Sequence, residues 1–78
     1  MIEVKDLIKL SDDREYCVAL KTIFEGNTYY FLVDIDNVKN IKVCCEKIEN
    51  NSIKLVQIED ENALDRLMLL FTETVKNN

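Results

Sequence analysis

The chain has no histidine, no proline and a single glycine among its 78 residues. Without histidine, the usual general base, proton shuttle and commonest metal ligand is missing, so Ser/His and Cys/His nucleophilic schemes have nothing to assemble around. One glycine excludes phosphate-cradling loops of the Walker or dinucleotide type, which need several. The lack of proline fits an uninterrupted meander of hairpins. Cys17, Cys44 and Cys45 are odd in number and include no C-x-x-C spacing, which argues against both a disulfide framework and a zinc site. They are expected as buried free thiols in a reducing compartment. The opening residues are charged from Glu3 onward, and no apolar run is long enough for a signal peptide or a membrane span, so a cytoplasmic location is expected.

Fifteen acidic residues stand against ten basic ones, for a formal net charge of −5. Repulsion makes direct contact with nucleic-acid phosphate or an anionic membrane unfavourable. Two readings of the acidity stay open: a soluble surface, or an array of carboxylates that imitates nucleic acid for a basic partner. Hydrophobic residues make up 47 % of the chain, enough for a folded core, and the length allows one domain over residues 1–78.

The stretch from Asp60 to Val75 reads as one amphipathic helix about 24 Å long. Leu64, Leu67, Met68, Phe71 and Val75 form a stripe of helical period, widened by Ala63 and Leu70. Glu59, Asp60 and Glu61 precede or open it, where acids complement the positive end of a helix, and Asp60 is a suitable N-cap. Leu69 falls near the back and should face solvent.

Upstream, Met1 to Leu10 fits either a helix or a strand, with a strand from near Leu7 preferred. Tyr16, Val18, Leu20 and Phe24 then alternate with Cys17, Ala19, Lys21 and Ile23 in a strand that ends at the hairpin turn Glu25-Gly26-Asn27. Thr28 to Val33 follows as its partner. Tyr29, Phe31 and Val33 lie on one face and Tyr30 and Leu32 on the other, so both faces need cover and the strand should be central. Ile41, Val43 and Cys45 alternate with Lys42, Cys44 and Glu46, whose side is expected to face outward. After the turn Glu49-Asn50-Asn51-Ser52 comes the last strand, Ile53 to Ile58. The expected fold class is α+β: an antiparallel meander of four to five strands with the C-terminal helix packed on one face.

The acidic turn Asp12-Asp13, the hairpin from Phe24 to Val33 and the run Ile58-Glu59-Asp60-Glu61-Asn62-Ala63-Leu64 leading to Phe71 resemble the DUF1292 family of short, acidic bacterial proteins. The likeness covers roughly Leu7 to Phe71, and the Cys44-Cys45 pair and the Lys-rich strand between Ile41 and Ile48 depart from the family's usual pattern. What the resemblance implies is this architecture. It carries over no catalytic residue, cofactor or mechanism.

Asp34-Ile35-Asp36-Asn37 begins like a calcium loop, but Val38 and Lys39 occupy the positions where such a loop needs an oxygen ligand and a glycine. No cofactor or metal is therefore expected. The residue types point to a non-enzymatic protein that acts through protein–protein interaction, with a homodimer through the sheet or the back of the helix as one form. The alternative is an acidic, nucleic-acid-mimicking inhibitor of the phage or anti-CRISPR type that blocks a basic groove on a nucleic-acid-binding enzyme. Candidate partner-binding residues are the acids Asp34, Asp36, Glu59, Asp60, Glu61 and Asp65, together with Tyr30 and Leu69.

Overall fold

In a computed structural model that describes residues 2–76, the alternating segments form five strands and the helical stripe forms one helix. The strands are β1 (Leu7–Lys9), β2 (Glu15–Phe24), β3 (Asn27–Asp34), β4 (Ile41–Glu49) and β5 (Ser52–Gln57), followed by α1 (Glu61–Lys76). They form one antiparallel sheet in the order β1-β2-β3-β4-β5, which is the α+β meander expected, with β3 at its centre. Of the ambiguous opening segment, Leu7–Lys9 is the strand, residues 4 and 5 form a turn, and Met1 lies outside the described residues.

Two tight turns set the register. Glu25 and Gly26 have φ of 52° and 79° between the paired residues Phe24 and Asn27, and Asn50 and Asn51 have φ of 50° and 65° between Glu49 and Ser52. Paired left-handed residues give the turn whose twist matches that of the flanking strands. Glycine and asparagine tolerate this conformation best, and Glu25 adopts it without that advantage.

The outer face of the sheet carries the helix. Leu67, Phe71 and Val43 are its buried centre, and Leu20, Tyr29, Phe31, Ile58, Leu64 and Leu70 pack around them. At roughly 25 cal/mol per Å² of apolar surface, burying this cluster contributes several kcal/mol, on the scale of the net stability of a small domain. The seated stripe is narrower than the sequence suggests and turned toward Ala63 and Leu70. Met68 and Val75 are 42 % and 56 % exposed, because a single helix touches a curved sheet along one line and leaves both flanks wet. Asp60 caps α1 as expected, its Oδ2 accepting from the Ala63 N–H at 3.2 Å.

The inner face forms a second core of Tyr16, Val18, Tyr30, Leu32 and Cys44, against which Ile2, Ile8, Leu10 and Leu55 pack. A β-bulge makes this possible. Val18 pairs with Leu32 but Leu20 with Phe31, so Ala19 is an extra residue in β2 and the inward parity reverses there. Tyr16 and Val18 therefore face inward and Leu20 packs under the helix, correcting the expectation that all three share a face. The bulge also increases the local twist, in keeping with the curl of the sheet. Cys44 and Glu46, expected to point outward, belong to this inner side: Cys44 is buried, and half-buried Glu46 accepts from the Tyr30 hydroxyl at 2.6 Å.

Candidate functional site

The curl brings the two ends of the sheet to one cleft. Ile8, Lys9 and Leu10 on one side and Ile53, Lys54, Leu55 and Gln57 on the other line an open depression of about 480 Å³, with Cys44 between them and Ile2 and Ser11 completing the lining. Strands β1 and β5 are the terminal strands of the sheet, each paired on one side only. The cleft thus has walls with unpaired backbone edges and an apolar floor, an arrangement suited to extended polypeptide. Burial pushes the Cys44 thiol up to about 11 from its ordinary 9.0, so it behaves here as a small apolar group. Cys44 and Cys45 lie on opposite faces of β4, opposite Tyr30 and Tyr29 respectively.

At one end of the inner face a polar node ties the β1–β2 turn to the β3–β4 loop. Asp34 is fully buried, and its carboxylate accepts from Arg14 Nη1 at 2.8 Å, Asn40 Nδ2 at 3.0 Å and the Asp36 N–H at 2.9 Å. The Tyr16 hydroxyl donates to Asp12 Oδ2 at 2.6 Å and accepts from Asn40 Nδ2 at 3.1 Å. Donation by Asn40 first, then by the Asp36 amide and the Arg14 guanidinium, holds the Asp34 carboxyl below the ordinary carboxylate range. The Tyr16 hydroxyl and the Arg14 amide lower Asp12 in the same way, and the bond to Asp12, helped by burial, raises Tyr16. Among the described residues no buried side-chain nitrogen or oxygen lacks a hydrogen-bond partner. The buried members, Asp34 and Tyr16, are held by bonds within the node, and Arg14 and Asp12 reach solvent at its edge.

The residues proposed from sequence do not converge. Asp34 is internal, and the fully buried Tyr30 spends its hydroxyl on Glu46, so neither offers contact surface to a partner. Burial and the Glu46 bond raise the Tyr30 hydroxyl strongly. Asp36 is exposed in the loop that Asp34 anchors. Glu59, Asp60, Glu61 and Asp65 are exposed around the start of α1. That end of the helix lies by Tyr29, which lines a small pocket with Ala63 and Arg66, whereas Asp34 is five residues further along β3, about 16 Å away. Leu69 faces solvent at 67 % exposure, as its helical phase requires.

Sequence reasoning missed the cleft residues Ile8, Leu10, Ile53 and Leu55. Their signal was faint: short terminal strands with apolar residues at alternate positions. Only the curl makes neighbours of segments more than forty residues apart. Among the described residues no group of three or more Cys, Asp or Glu comes together to hold a metal ion, and no helix is long and apolar enough to cross a membrane. No family model, curated protein or solved structure matches the chain.

Proposed function

We propose that this protein is a non-catalytic binding domain that acts by holding a segment of another protein in the cleft between β1 and β5. The observation that carries the reading is the cleft itself, largely apolar in lining and bounded by two unpaired strand edges. The polar node supports it, since its buried groups Asp34 and Tyr16 are engaged in holding loops together. The three free thiols accord with a cytoplasmic, reducing setting.

The acidic-inhibitor reading has less support. Asp34 is buried and paired with Arg14, which leaves the exposed acids of α1 without the second arm that a phosphate-like array needs. Copurification of the tagged chain with its partner separates the two readings. For a cleft binder, Ile53→Asp abolishes recovery, Glu61→Lys with Asp65→Lys leaves it intact, and raising salt from about 50 to about 500 mM has little effect. An inhibitor of a basic groove shows the reverse on every count, with binding that collapses in salt.

A further inference from the structure

The cleft also carries information about the chemistry of its occupant, and the inference rests on the binding reading above. We propose that it accepts an extended strand of a partner protein in which apolar residues alternate with carboxylates.

Both walls are the outer edges of terminal strands, so their outward backbone N–H and C=O groups are free to pair with an added strand. Successive side chains of such a strand point to opposite faces. On the inner side they meet Ile8, Leu10, Cys44, Ile53 and Leu55, with Ser11 and Gln57 beside them, a mostly apolar surface that favours apolar groups. On the outer side they meet lysine. Lys9 and Lys54 occupy the outward positions of the two walls, next in sequence to inward-facing Ile8 and Ile53, and both are exposed. Lys54 also pairs directly across from Lys47, and among the described residues neither has an acidic partner within 4.0 Å. Like charges opposite one another in a sheet are unfavourable, and a carboxylate set beside them relieves the repulsion. On a chain of net charge −5, Lys54 beside Lys47 makes the β5 wall a local reversal of sign that selects an acidic strand, whereas Lys9 on the β1 wall already has Asp13 at 4.0 Å and Glu15 across from it. A second copy of this chain is disfavoured as the occupant, because pairing β5 with β5 brings two Lys47–Lys54 pairs together.

The test uses capped synthetic peptides of about eight residues, a common strand length. One alternates Val with Glu, one alternates Val with Lys, and one carries the Val and Glu residues in two blocks. Titration into the isotope-labelled protein is followed by backbone amide NMR. The Val/Glu alternating peptide should perturb amides of both β1 and β5 and bind about tenfold more tightly than either of the others. Lys9→Glu with Lys54→Glu should reverse the preference between the Glu and Lys peptides, and a melting temperature near that of the parent shows that the exposed substitutions leave the fold intact. Equal binding of the three peptides, no binding, perturbation confined to β5 or to α1, or a concentration-dependent dimer that occludes the cleft would overturn the proposal. If the peptides fail while copurification still depends on Ile53, the strand proposal falls and the binding reading stands. If both fail, both fall.

Discussion

Phe31 and Phe71 meet edge to face, their ring centroids 5.4 Å apart and their planes at 66°, where the helix presses on the central strand. Phe71 is 2 % exposed, whereas Leu69, two residues earlier on the same helix, lies in solvent. Truncation of Phe71 to alanine removes the ring and leaves a cavity, at a cost of about 3–5 kcal/mol. Leu69→Ala should cost less than about 1 kcal/mol. Denaturant melts of the two variants give the comparison, and equal midpoints would mean that α1 does not seat through this face.

The polar node predicts how stability responds to acid. Asp34 and Asp12 both have folded-state pKa values below their ordinary ones, so each binds a proton less readily folded than unfolded. Their stabilisation is complete above the unfolded carboxylate value, about pH 4, and is lost as pH falls through the lower folded values. Melting temperature followed from pH 7 to about pH 2 should therefore drop for the parent chain. Asp34→Asn should melt lower at neutral pH and fall less steeply in acid. Parallel curves for the two would exclude Asp34 as a source of the acid sensitivity.

Thiol chemistry tests the inner core. With Cys44 pushed up to about 11 and both Cys44 and Cys45 buried, alkylation at pH 8 should reach the half-buried Cys17 first. Mass mapping after brief exposure to iodoacetamide should find Cys17 modified well ahead of the other two. Prompt modification of Cys44 would show that the inner face is open to solvent.

Deletion of Ala19 probes the bulge. Without the extra residue, β2 keeps one parity along its length, so either Tyr16 and Val18 leave the inner core or Leu20 leaves the helix seat. The deletion should abolish the cooperative thermal transition, whereas Ala19→Ser, at a half-buried position, should keep it. A folded deletion variant would mean that the two cores do not depend on the bulge.

Much of the architecture was legible because it is local. Gly26 with Asn27 and Asn50 with Asn51 mark the two tight hairpins, the alternation from Tyr29 to Val33 marks a central strand, and Asp60 marks the start of the helix. What escaped depends on distance or on a single residue. The bulge at Ala19 leaves the alternation of β2 looking unbroken, because apolar residues occur on both sides of it. Asp34 reads as a surface acid until the fold delivers Arg14 from twenty positions upstream. Tyr30 reads as exposed on a flat sheet and becomes interior once the sheet curls, and the cleft exists only through that curl.

A partner held between β1 and β5 must lie within reach of the cleft wall. A photo-crosslinking amino acid placed at Ile53, which is 43 % exposed on the cleft wall, and separately at Leu69 on the back of the helix, reports this directly in living cells. Covalent adducts to a second protein from position 53 and none from position 69 are the predicted result, and adducts from position 69 alone, or from neither position, would contradict it.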